Sequence, residues 1–126
     1  MTSTTETKLN ESQMLQCLIK GLQEKKGHSI THIDLSGIED ATTRHFLIAN
    51  GNTPIQVTAI ADAVREYAEK NAGQRPYNYD GYRNAQWIVL DYGYIYVHIF
   101  LPEERLRYNI EQLWADAPRT DIPDIY

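Results

Sequence analysis

The sequence predicts one α/β domain, of the α+β kind, with a mixed sheet of roughly five strands flanked by helices. Three observations carry that prediction. Apolar residues recur at helical spacing in three stretches, and at two-residue spacing or in short continuous runs in the others. The breaks fall at residues that stop or turn a chain: Gly27, Asn50-Gly51-Asn52, Gly73, Asp91-Tyr92-Gly93-Tyr94 and Pro118. The order is helix, strand, strand, helix, short strand, hairpin, helix, which places both kinds of element in one layered unit.

Each element has a local reason. Residues 1–9 are polar and rich in threonine, and are expected to be flexible. A helix begins near Asn10, with Gln13 three residues on as a capping-box partner. Met14, Leu15, Leu18 and Leu22 give it an apolar face, and Lys25-Lys26-Gly27 is a stop signal. Residues 29–35 (SITHIDL) read as a strand. Phe46 to Ala49 is a continuous apolar run, suited to a strand buried on both faces. Thr53-Pro54-Ile55-Gln56 opens the second helix: threonine caps, proline takes the first helical position, and Gln56 can reach back to the cap. Val57, Ile60, Val64 and Ala68 form its buried stripe, and Asn71-Ala72-Gly73 ends it.

Residues 74–85 are polar and aromatic, with a short strand expected at 77–79. Trp87 to Asp91 and Tyr94 to Leu101 are the arms of a hairpin. In the second arm Ile95, Val97 and Ile99 share one face, and Tyr96, His98 and Phe100 the other. Pro102-Glu103-Glu104 opens a last helix, with acids suited to its dipole. Its expected apolar face is Leu106, Ile110, Leu113 and Trp114. The domain is expected to span residues 10–118, and the tail, 119–126, to be irregular.

The 126 residues are 42% hydrophobic and 23% charged, enough for one core and too balanced for global disorder. The net charge is −5, whereas a freestanding nucleic-acid binder is more often basic. Residues 86–126 hold seven acids against three bases, and residues 1–85 ten against nine. The C-terminal third therefore suits a basic partner, or is a solvated acidic surface. The lone Cys17 forms no intrachain disulfide and sits on an apolar helix face as a core thiol. The polar start MTSTTETK is no signal peptide, and no apolar run is long enough to span a bilayer, so the expected compartment is the cytoplasm.

Five blocks resemble the RsfS/Iojap family, in the family's order. They are the Lys-Lys-Gly helix end with its following Asp-Leu strand; Phe46 to Asn52; residues 56–64 (QVTAIADAV); residues 87–100 (WIVLDYGYIYVHIF); and residues 105–114 (RLRYNIEQLW). The resemblance covers roughly residues 11–118. It implies a fold related to nucleotidyltransferases without their catalysis. It also implies binding to the fourteenth protein of the large ribosomal subunit on the face that meets the small subunit. A factor bound there prevents subunit joining and represses translation when nutrients are short. The resemblance further implies that free members often form homodimers. The chain departs from the family pattern at Arg44 and His45, where an aspartate and an aromatic are usual, at Asp80-Gly81 in place of glutamate-glycine, and at Tyr94 in place of an aspartate. The first and last changes remove negative charge.

Read for chemistry, the residues offer little. A nucleotidyltransferase site needs two or three converging carboxylates. The expected pair on a strand after the second helix is missing, and Asp91 stands alone at a turn, where aspartate commonly serves the backbone. His28 and His32 lie in strand-forming sequence, His45 and His98 are isolated along the chain, and Cys17 has no partner, so no metal or cofactor is expected. No nucleophile–base arrangement or nucleotide-binding fingerprint is recognisable.

Nine tyrosines do suggest a binding surface. Single-stranded RNA would require interleaved lysine or arginine, and residues 87–100 have neither. The candidate contacts for a ribosomal protein are Trp87, Asp91, His98, Tyr108 and Glu111, with Asp80 a weaker one. Trp87 and Asp91 share a side of their strand. Tyr108 and Glu111, three apart, would be neighbours on one helical face, and Tyr108 falls off the apolar stripe. The competing reading makes Trp87 and His98 core residues and Asp91 a turn residue.

Overall fold

A computed structural model describes residues 9–125. The expected flexibility of residues 1–8 lies outside the described residues; Leu9 packs against the core.

Helix α1 (Glu11–Glu24) starts at Asn10 with a full capping box: the Asn10 side chain accepts from the Gln13 amide, and the Gln13 side chain accepts from the Asn10 amide. It ends at Glu24, three residues before its glycine. Lys25 caps it, and Lys26, not Gly27, takes the left-handed conformation at φ 65°. Helix α2 (Pro54–Ala72) is capped by the Thr53 hydroxyl, while Gln56 accepts from the Asn52 amide, one residue before the cap. Gly73 closes it at φ 62°. The two helices cross closely at Gly21, where a Cβ would lie 2.9 Å from the Val64 Cα.

Six strands form one sheet: β1 (His28–Asp34), β2 (His45–Asn50), β3 (Asn78–Asp80), β4 (Trp87–Asp91), β5 (Ile95–Phe100) and β6 (Arg119–Ile122). Their order is β3-β4-β5-β2-β1-β6. Only β2 and β5 run parallel. The other neighbours are antiparallel, so the sheet is mixed. The sixth strand corrects the sequence reading of an irregular tail. Residues 119–122 pair with β1, from Ile30 opposite Ile122 to Ile33 opposite Arg119, and the Thr31 hydroxyl donates to Asp121. The backbone groups of the β1 edge would otherwise be left unpaired.

The two faces of the sheet are covered unequally. The first, bearing Leu47, Ile88, Leu90, Ile95, Val97 and Ile99, is sealed by Leu18 and Leu22 of α1 and Val57, Ile60 and Val64 of α2, all buried. Cys17 is buried in this cluster, and burial raises its thiol pKa. The second face carries Ile33, Phe46, Ile48 and Phe100. Ile110 and Trp114 pack against it from the C-terminal region.

That region departs from the sequence reading. Asn109 adopts a left-handed conformation, φ 49°, and divides the expected single helix into α3 (Pro102–Tyr108) and α4 (Ile110–Leu113). The break disrupts the helical phase. Leu106 and Leu113, expected on the buried stripe, are 80% and 74% exposed, and only Ile110 and Trp114 face inward.

A candidate docking surface at the hairpin and the last helices

The hairpin register settles what the sequence left open. Trp87 is opposite Phe100, Val89 opposite His98 and Asp91 opposite Tyr96. Trp87, Asp91 and His98 therefore share the second, less covered face. They do not form one cluster. Trp87 opens β4, and its half-buried indole stacks on Phe100, with centroids 4.9 Å apart. Tyr108, the last residue of α3, lies beside it at 4.7 Å and is 49% exposed. His98 lies beneath, 5% exposed, and accepts the indole N–H on Nδ1 at 3.0 Å. It presents no open surface to a partner. Burial pushes its pKa down to about 3.

The acidic candidates fall elsewhere. Asp80 is exposed at the end of β3, and its carboxylate accepts from the Gly81 amide. Gly81 has φ 98°, and a Cβ there would collide with the Trp87 carbonyl, so the loop can pass the tryptophan strand only with glycine. Asp91 lies about 13 Å along the strand from Trp87, and one oxygen accepts from the Gly93 amide at 2.7 Å, which is a turn role. The break at Asn109 removes the continuous helix that would have made Glu111 a neighbour of Tyr108 on one face. Its side chain, 13% exposed, faces Arg105 and Arg119.

Between Tyr108 and the β3–β4 loop lies a groove of about 480 Å³, walled by Trp87, Tyr108, Tyr79, Tyr82, Asp80 and Glu104. Arg65 of α2 braces its far wall, with its guanidinium 4.2 Å from the Tyr79 ring centre. The Tyr82 hydroxyl donates to Asp62 at 3.0 Å; desolvation, the largest influence, pushes that hydroxyl up to about 12.

Two polar clusters were not read from the sequence. Arg105 of α3 is buried, and it donates to the Ser29 carbonyl, the Asn50 side chain, the Thr31 hydroxyl and both oxygens of Glu111. The second cluster corrects the view of His45 as isolated. The antiparallel pairing of β1 and β2 brings His32 Nε2 within 2.9 Å of His45 Nδ1, and His45 Nε2 lies 2.5 Å from Glu11. A carboxylate only accepts, so His45 donates from Nε2; with the ring neutral, its Nδ1 accepts from His32. Arg44 also donates to Glu11. Arg44 and His45, two of the residues that depart from the family pattern, thus tie the start of α1 to the sheet. Among the described residues, no group of three or more His, Cys, Asp or Glu side chains could hold a metal ion.

A small mixed-sheet domain with an aromatic pair at one edge of its less covered face has a surface suited to a partner. Comparison with known sequences shows its family. The sequence profile of the family described as "Ribosomal silencing factor during starvation" matches residues 8–126. The chain is 34% identical over 114 residues to the ribosomal silencing factor RsfS of Bacillus subtilis, covering 90% of this chain and 95% of that one. It is 37% identical over 81 residues to the chloroplastic protein Iojap of Arabidopsis thaliana, covering 64% of this chain and 33% of that one. A crystal structure of a Chromobacterium violaceum protein superposes with a TM-score of 0.80 at 28% identity, covering 85% of this chain and 88% of that one. The chain belongs to the RsfS family of ribosomal silencing factors. No helix among the described residues is long and apolar enough to cross a membrane.

Proposed function

We propose that this protein represses translation by docking on the large ribosomal subunit, through its fourteenth ribosomal protein, and blocking the approach of the small subunit. The observation that carries this reading is the pairing of a half-buried Trp87 with an exposed Tyr108 at the edge of the open sheet face. Such side chains are the usual anchors of a protein interface. Leu106 and Leu113 extend the apolar surface. Asp80 and Glu104, which line the same groove, supply negative charge beside it, which suits a basic ribosomal protein.

The protein acts by occupancy and not by catalysis, within the bacterial cytoplasm and during nutrient limitation. Free of the ribosome, it pairs with a second copy of itself. Family membership and the net charge of −5 favour a protein partner over direct, sequence-specific binding to RNA.

Sucrose-gradient sedimentation with purified ribosomal particles tests the reading. The protein is expected to travel with isolated large subunits and not with small subunits or assembled ribosomes. Equal association with assembled ribosomes would overturn steric silencing. Nucleotide turnover with magnesium that is lost in Asp91→Asn would overturn the non-catalytic reading.

A further inference from the structure

His98 holds a buried position that an apolar residue could fill. Its ring lies edge-on to Phe46, with centroids 4.6 Å apart, and close to Phe100 and Tyr96. Among the described residues, its buried Nε2 has no hydrogen-bond partner. The tautomer follows from the contact with Trp87. An indole N–H can only donate, so Nδ1 accepts, and the neutral ring carries its proton on Nε2. An unpaired buried donor destabilises the fold. The nitrogen that has a partner is the one facing Trp87.

Trp87 itself is half-exposed, so its N–H could be satisfied by water if the indole swung outward. The bond to His98 commits the ring to the position over Phe100 and beside Tyr108. A surface already held in its bound arrangement loses less freedom on association.

We infer that His98 is a positioning residue for docking: it does not touch the ribosomal partner, but fixes the Trp87 indole in the orientation the partner meets. This inference rests on the docking reading above. It changes the role of His98 from a surface contact to a support beneath the surface.

The test follows the Trp87 indole N–H by NMR, in a Trp114→Phe background that leaves one tryptophan, alongside affinity for purified large subunits. In the free wild-type arrangement the N–H exchanges slowly with solvent. His98→Phe keeps the ring volume and removes the acceptor, so exchange is expected to quicken and affinity to fall about tenfold, the scale of one well-placed hydrogen bond. His98→Asn places an amide oxygen near the Nδ1 position and is expected to restore both, even if His98→Phe folds poorly. In a Trp87→Phe background, the change from His98 to Phe is expected to cost no further affinity. An equal loss there would mean that His98 touches the partner directly, and would overturn the inference. Fast indole exchange in the unsubstituted histidine chain would overturn it as well, as would unchanged affinity in His98→Phe. Failure of the Trp114→Phe chain and the unsubstituted chain alike to bind large subunits would instead overturn the docking reading on which it rests.

Discussion

His98 and His32 link single side chains to the stability of the whole chain. Burial holds the His98 pKa at about 3. Burial first, and the neighbouring His45 ring second, lower that of His32. In the unfolded chain both have the ordinary value of about 6.5. Below that pH the unfolded state binds more protons than the folded one, so stability falls as the medium is acidified. The contribution is fully present above about pH 6.5 and is lost progressively below it, for His98 down to about pH 3. Each extra proton bound by the unfolded state adds a slope of about 1.4 kcal/mol per pH unit. Glu11, Asp34 and Asp121 are lowered by their hydrogen bonds. Their contribution is present above the unfolded carboxylate value of about 4 and is lost below it, so they add little between pH 7 and 5. Urea unfolding is expected to show a loss on the order of 1–3 kcal/mol between pH 7 and pH 5, with a shallower slope in His98→Phe. A flat profile over that range would mean that both histidines take up protons in the folded state. Neither effect was legible in the sequence, where His32, His45 and His98 are separated by 13 and 53 positions and only the fold brings them to their partners.

At the scale of the element, α3 has seven residues, no side-chain N-cap bond and an exposed leucine, features that cannot sustain a helix alone. Arg105 anchors it. All five of its donor hydrogens have acceptors: three bonds run to β1 and β2, and two to Glu111. Arg105→Met removes these bonds and leaves Glu111 shielded from water with only Arg119, 3.5 Å away. Breaking a buried pair in this way costs about 3–5 kcal/mol, whereas replacing both members by apolar residues can be nearly neutral. Chemical denaturation of Arg105→Met should therefore show a loss of about that size, and adding Glu111→Met should recover part of it. A loss below about 1 kcal/mol would assign the clamp to the surface-pair class. The same region limits what sequence reading could reach. Periodicity places Leu106, Ile110, Leu113 and Trp114 on one stripe only if the helix is continuous, and Asn109 breaks it. Asparagine tolerates the left-handed region, and that was the one available signal. The strand at 119–122 is similar. Its residues, Arg-Thr-Asp-Ile, carry almost no apolar pattern, because β6 is an exposed edge strand held by backbone pairing.

At the scale of the whole molecule, the legible part of the fold is the part with a strong apolar pattern. Both long helices, their N-capping residues Asn10 and Thr53, the buried β2 and the hairpin with its alternating faces all follow from residue order. The site was only partly legible. Trp87 and Tyr108 do come together, but Asp91 takes the turn role that the sequence offered as the competing reading, and Glu111 is drawn into an ion pair with Arg105 that no spacing rule reveals.

The sheet also divides its labour by face. Helices of 14 and 19 residues seal the first face, and Ile60 at its centre has no exposure. Helices of seven and four residues partly cover the second, and leave Trp87, Leu106, Tyr108 and Leu113 in reach of a partner. Stability should therefore depend mainly on the first face, and docking on the second. Ile60→Ala empties space in a closed core and should cost about 2–5 kcal/mol of stability. Its folded fraction should hold large subunits as the unsubstituted chain does. Tyr108→Ala removes a half-exposed ring, and should shift stability by less than about 1 kcal/mol while costing about 1–4 kcal/mol of binding. Both are measured by pairing denaturation curves with large-subunit affinities at a temperature where each variant is fully folded. If Ile60→Ala weakens binding as much as Tyr108→Ala does, the two faces are mechanically coupled. The docking surface would then be a property of the whole sheet, and not of its open side.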